Sequence, residues 1–148
     1  MAAWGWYGQG ILGQFGATAA RRVDLTGDTL KVLLTTSLYV PGVDTHAFRN
    51  DVTNEVTGTL YTAGGQTITG KSWTYDAASN EARFVFTDPA WGPGAIIAGI
   101  RCAVLYKDTG SAATDPLIGF SILDGDQTIA GGTFSLDVDP ATALKITV

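Results

Sequence analysis

The feature that most constrains the fold is the apolar stretch from residue 96 to residue 122. Its first half alternates with the period of two that a β-strand requires. The two faces of this predicted strand are Ile100, Cys102, Val104 and Tyr106 on one side and Arg101, Ala103 and Leu105 on the other. Because both faces are largely apolar, we expect a central strand that is covered on each side. Turn residues at 107–115 and a second apolar run from Leu117 predict that it pairs with an antiparallel return strand.

The charge balance argues against nucleic acid as a partner. The 148 residues carry 9 Lys and Arg against 14 Asp and Glu, a formal net charge of -5, and no basic cluster exceeds the pair Arg21 and Arg22. A nucleic-acid-binding surface normally shows a basic stripe. The sequence also lacks an apolar run long enough to cross a bilayer and a signal-peptide pattern, so we expect a protein made in the cytoplasm that does not bind membranes.

The remaining chain predicts further short strands separated by turns. About eight strands at spacings of about ten residues indicate an all-β fold, either an antiparallel β-sandwich or a jelly-roll-like barrel. A short helix is expected over residues 47–52, with Thr45 as its cap. Residues 88–95 are expected to form an irregular connection around Trp91, and residues 124–132 a polar turn.

The first 22 residues differ in composition from the rest, because glycines at five positions are interleaved with large apolar side chains. Glycine at this density predicts no helix that is stable by itself, whereas the aromatic residues argue against a solvated tail. We therefore divide the chain into an N-terminal arm, residues 1–22, and a β-domain, residues 23–148. The arm either packs on its own domain or docks on a neighbouring subunit, and the second is favoured. The residues predicted to bind that subunit are Trp4, Trp6, Tyr7, Ile11, Leu12 and Phe15.

The residue types needed for catalysis are rare in this sequence. His46 is the single histidine, with Asp44 and Asp51 near it, and we interpret it as a cap or packing residue. Cys102 is the single cysteine, so an intrachain disulfide is impossible, and its apolar strand predicts a buried, unreactive thiol. Two pairs of closely spaced carboxylates, at 124/126 and 137/139, lack the further ligands of a calcium loop. We predict no catalytic residue, metal or cofactor.

Three segments give the chain a family resemblance. They are the strand that leads into THAFRNDV (45–52), the segment EVTGTLYTAGG (55–65), and the hairpin that contains YKDTG (106–110) and PLIGF (116–120). Together with the intervening sequence, over about residues 25–148, they resemble a family of small structural proteins of tailed bacteriophages. Members are described as minor capsid, head decoration or tail-associated proteins. The resemblance implies a virion location and other virion proteins as partners, and it implies no catalytic residues.

These observations predict a capsid decoration (minor capsid) protein that binds the assembled shell, as a homo-oligomer, through its N-terminal arm. One alternative is a tail or fibre component of the virion. An alternative of another class is a carbohydrate-binding module, since Trp73 and Tyr75 alternate on one predicted strand face and aromatic rings stack on sugars.

Overall fold

The computed structural model of the protein describes residues 3–16 and 18–148. Within these residues the strands are β1 (Trp4–Trp6), β2 (Leu30–Thr35), β3 (Gly58–Thr59), β4 (Gln66–Thr67), β5 (Ser72–Asp76), β6 (Glu81–Val85), β7 (Ala90–Lys107), β8 (Leu117–Ser135) and β9 (Leu144–Thr147), and the α-helix is α1 (Gly8–Phe15). Every strand pair is antiparallel, so the predicted all-β antiparallel fold is confirmed. No helix in the described ranges has the length and hydropathy of a membrane span.

The strands form two sheets that share a core. The larger sheet has the order β1-β8-β7-β2-β4, and β3 pairs with β7 at Ile96 and Ile97. The smaller sheet has the order β5-β6-β9. Val32 and Leu105 of the larger sheet belong to the same buried cluster as Phe84 and Leu144 of the smaller sheet. Because the two sheets bury apolar side chains against each other, the arrangement is sandwich-like.

Strand β7 is central, as the sequence predicts. It lies between β2 and β8, and Ala103 and Leu105 face the core between the sheets. Cys102 and Val104 face the opposite way, into a second buried cluster that also contains Tyr7 and Tyr39. Both faces of the strand are therefore covered. Ile100 belongs to the first cluster rather than to that of Cys102, because an irregularity between these two residues interrupts the alternation.

The central hairpin is longer than expected. The predicted irregular connection at 88–95 and the predicted polar turn at 124–132 are wrong, since nearly all of these residues lie inside β7 and β8. Register shifts accommodate them: one lies between Trp91 and Ala95, where Gly92 and Gly94 have positive φ angles. A second shift lies between Ile100 and Cys102, where residues 123–126 of β8 have only Arg101 opposite them. Bulges allow a strand to absorb such residues without ending.

The short helix of one or two turns expected over residues 47–52 is present only as one 3-10 turn. This segment contains a single 3-10 turn, Arg49–Asp51, and Thr45 does not cap it. The backbone bonds that a helix would use are made instead with the hairpin loop, where the Arg49 N–H donates to the carbonyl oxygen of Asp115 at 2.9 Å. The Arg49 guanidinium also binds the fully buried Asp115 carboxylate, with Nε 2.7 Å from Oδ2. Long-range pairing with the hairpin loop therefore limits the helix to a single turn.

Candidate functional site

The N-terminal residues are part of the sandwich. β1 pairs with β8, with Trp4 opposite Ser121 and Trp6 opposite Gly119. Trp4 is 8% exposed, and Tyr7 is fully buried in the second core cluster. The boundary predicted at residue 22 therefore does not separate two packing units. Trp4 and Tyr7, predicted to bind a partner, lie in the core of the protein's own domain, because strand pairing with β8 draws them inside.

Helix α1 packs through glycines against β8 and against the turn around Arg21. Gly10 and Gly13 are its buried residues, three positions apart on one face. A Cβ atom at Gly10 would lie 2.7 Å from the Leu117 carbonyl oxygen, and one at Gly13 would lie 2.9 Å from the Arg21 Cβ. Glycine is thus required for this close approach. The sequence predicted no independently stable helix, and the structure has one that is held by its contacts with β8 and with the turn around Arg21.

The large side chains of α1 consequently face away from the core. Leu12 is 60% exposed and Phe15 is 87% exposed, whereas Ile11 is partly buried. In most surface helices the apolar stripe faces the core and the polar stripe faces water. Here the buried face is glycine, so the apolar side chains remain available to another molecule.

Next to this exposed face lies an apolar groove of about 290 Å³, called here the helix groove. Its lining residues are Trp6, Ile11, Gln14, Phe15, Val23, Asp24, Leu25, Thr26, Trp73 and Ile146. The Trp6 indole N–H donates to the carbonyl oxygen of Lys145 at 2.8 Å, and its ring meets that of Trp73 edge-on with a centroid distance of 6.3 Å. The groove therefore unites residues from both ends of the chain and from β5.

The helix groove carries one acidic group. The Asp24 carboxylate accepts hydrogen bonds from the Gly27 N–H and from the side chain and N–H of Thr26, each at 2.9 to 3.0 Å. These bonds hold the pKa of Asp24 below its usual range, the Gly27 bond contributing most. The group is thus negatively charged at neutral pH, at the side of an otherwise largely apolar surface.

Of the six predicted partner-binding residues, the structure brings Trp6, Ile11 and Phe15 together in the helix groove and leaves Leu12 exposed beside it. Sequence reasoning missed Val23, Leu25 and Ile146. No local pattern marks these residues, because they reach the groove from a loop and from the last strand.

The two residues predicted to stack on sugars lie on β5. Trp73 is 38% exposed and Tyr75 is 56% exposed, and both occupy the same face of the strand. The Tyr75 hydroxyl donates to Oδ1 of Asn80 at 3.3 Å. Trp73 is shared with the helix groove, whereas Tyr75 is outside its lining.

His46 is engaged in structural contacts. Its Nδ1 accepts a hydrogen bond from the Gly42 N–H at 3.1 Å and lies 3.0 Å from the Tyr39 hydroxyl, and the two rings stack. The Asp51 carboxylate accepts bonds from the backbone N–H groups of Ala47 and Phe48. Both bonds are accepted by Oδ2, which therefore stabilises the turn.

Cys102 is 1% exposed, and burial raises the pKa of its thiol to about 12. Within residues 3–16 and 18–148, no group of three or more His, Cys, Asp or Glu side chains has the geometry to hold a metal ion.

The candidate functional site is therefore the exposed apolar surface of α1 together with the helix groove. When the chain is compared with protein-family models, with curated proteins and with solved structures, none of the three comparisons finds a match.

Proposed function

We propose that the protein is a structural subunit of a tailed-bacteriophage virion, a capsid decoration protein that binds the assembled shell through α1 and the helix groove. One observation carries this proposal: α1 turns its glycines inward and its large apolar side chains outward. Covering this apolar surface with another molecule removes it from water and so lowers the free energy of the complex.

The free energy available from burying the exposed side chains of α1 is large enough for a docking site. Burying a side chain such as that of Phe15 contributes about 1.5 to 3 kcal/mol. Phe15 and Leu12 together with the groove would therefore supply a substantial part of a specific interaction. The groove is preformed, with Trp6 held by its hydrogen bond to Lys145, so little ordering free energy is needed on binding.

The surface also limits the kind of segment that would bind. Apolar lining residues surround the helix groove, and Asp24 adds a negative charge at its side. An occupant with large apolar side chains flanked by a lysine or arginine complements both features. The resemblance of residues 25–148 to phage structural proteins supports another virion protein as the source of that segment, and we propose a capsid protein. A tail protein is the alternative within the same class.

The test is co-sedimentation of the purified protein with capsids, and separately with tails, that were assembled without it. Phe15→Ser should weaken binding to capsids by about 10-fold to 100-fold, since the lost burial is worth about 1.5 to 3 kcal/mol. The matched control is Leu38→Ser, because Leu38 is 77% exposed and lies outside the helix groove. It should bind like the wild type.

Binding to tails but not to capsids would support the tail alternative. Wild-type protein that binds neither particle contradicts a virion role. Loss of binding in Leu38→Ser but not in Phe15→Ser would assign docking to another surface.

A carbohydrate-binding module is the second candidate, favoured by the exposure of Trp73 and Tyr75 on one strand face. A sugar ring can stack on these two exposed aromatic rings without a change in the fold. Under this function the protein binds ligands on a glycan array, and Tyr75→Ala removes that binding while the melting temperature stays the same. An array without any bound glycan argues against the module.

A further inference from the structure

The smaller sheet has an open edge at β5. Its strand order is β5-β6-β9, and no strand within residues 3–16 and 18–148 pairs with the outer side of β5. The opposite edge, at β9, is contacted by β1, since the Trp6 indole donates to the Lys145 carbonyl. An unpaired edge strand presents a row of N–H and C=O groups that another strand can bind.

The hydrogen bonds of β6 fix which groups are free on β5. The Val148 N–H donates to the Asn80 carbonyl at 3.0 Å, so this carbonyl points towards β9, and the Glu81 N–H in the same planar peptide points the opposite way, towards β5. Direction alternates along an antiparallel strand, so Arg83 directs its groups towards β5, where Thr74 is its partner. The backbone groups of Thr74 are therefore used inside the sheet.

The residues on either side of Thr74 present their backbone groups outwards. These residues are Trp73 and Tyr75, and the strand Ser72–Asp76 is nearly symmetric about its centre, with an aromatic residue on each side and a polar residue at each end. If two copies of β5 pair antiparallel with Thr74 opposite Thr74, Trp73 of each copy lies opposite Tyr75 of the other. Both are hydrogen-bonding positions, so each such pair exchanges two hydrogen bonds.

We propose that β5 is a dimerisation edge, at which a second copy of this chain continues the smaller sheet across a two-fold axis. The side chains fit this pairing, because residues directly opposite each other project to the same face. Trp73 and Tyr75, 38% and 56% exposed, would meet their counterparts as two cross-strand aromatic pairs.

The edge has few of the features that usually prevent pairing, and its one charged residue, Asp76, would lie at the end of the paired segment, opposite Ser72 of the second copy. Within β5 there is no proline and no lysine, and the register with β6 runs without a shift from Ser72 to Asp76. Trp73 lines both the helix groove and this edge, but the tests below change Thr74, which lies outside the groove, so their outcome is independent of the proposed virion function.

The first test uses an introduced cysteine. Thr74→Cys places two thiols at a non-hydrogen-bonded pair on the axis, where Cα atoms are about 4.5 Å apart, a distance that a disulfide can bridge. Mild oxidation should give a covalent dimer within minutes. Cys102 does not compete because it is buried. The control is Thr147→Cys, an exposed position on β9 and on the same outer face of the sheet, which should cross-link at the slow rate of random collision.

The second test uses charge. Thr74→Lys and Thr74→Glu each place like charges opposite each other, and each should raise the dimer dissociation constant by up to about fivefold in sedimentation velocity. An equimolar mixture of the two variants should recover the wild-type value or a lower one, because opposite charges then meet on the axis. Thr147→Lys should have no effect.

A wild-type protein that stays monomeric at all accessible concentrations, with Thr74→Cys cross-linking no faster than Thr147→Cys, overturns the proposal. So does a wild-type dimer whose dissociation constant is unchanged in both charged variants, since that dimer uses another surface.

Discussion

Val104→Asp is expected to prevent folding. Val104 is fully buried in the second core cluster, and its strand is paired on both sides, so no rearrangement brings an introduced carboxylate to water. Burial of an unpaired polar or charged group, added to the lost apolar contacts, should destabilise the protein by at least about 4 kcal/mol. That is close to the whole stability of a small domain. Thermal melting followed by circular dichroism should show no cooperative transition.

The control is Val40→Asp. Val40 is 75% exposed, so the same substitution there should leave the melting temperature within a few degrees of the wild-type value. A cooperative transition of Val104→Asp at the wild-type temperature would contradict the central position of β7.

Removal of residues 1–22 should also unfold the protein. The truncation deletes β1, exposes the edge of β8 and removes Trp4 and Tyr7 from the two core clusters. The loss of one large aromatic side chain from a core costs about 3 to 5 kcal/mol, so the two together approach the stability of the whole domain. We therefore expect the chain 23–148 to lack a cooperative melting transition.

The matched control is the full-length double variant Leu12→Ala, Phe15→Ala, which shortens two large side chains of the same segment where they are exposed. Its melting temperature should be nearly that of the wild type. If the truncated chain melts cooperatively near the wild-type temperature, β1 contributes little to the fold.

Short-range patterns predicted the strands whose faces alternate cleanly. In β2, Leu30, Val32 and Leu34 face one core cluster and Leu33 faces the other, as the period of two requires. The prediction failed where glycine and proline suggested turns inside β7 and β8. Whether a glycine ends a strand or sits in a bulge depends on the partner strand, and the partner is not visible in a local window.

The sequence did not indicate helix α1, for a related reason. Glycine disfavours an isolated helix, and that argument is sound for α1 in isolation. It omits the gain from close packing on β8, which glycine at position 10 allows, and on the turn around Arg21, which glycine at position 13 allows. Part of the helix groove could be predicted, because the sequence marks Trp6, Ile11 and Phe15 as apolar side chains that need a partner surface. No local pattern indicates that Trp73 and Ile146 lie beside them.

The contact between the two ends of the chain has a kinetic consequence. The Trp4 N–H donates to the carbonyl of Thr142, and the Trp6 indole donates to that of Lys145, across nearly the full length of the sequence. During synthesis residues 4–6 emerge long before β8, with which they pair, and before β9, which Trp6 contacts, so their aromatic side chains stay unburied until both strands have been made. Folds dominated by such distant contacts form slowly, in milliseconds to seconds. During that interval the two tryptophans can contact other chains, and this exposure favours aggregation of the nascent protein.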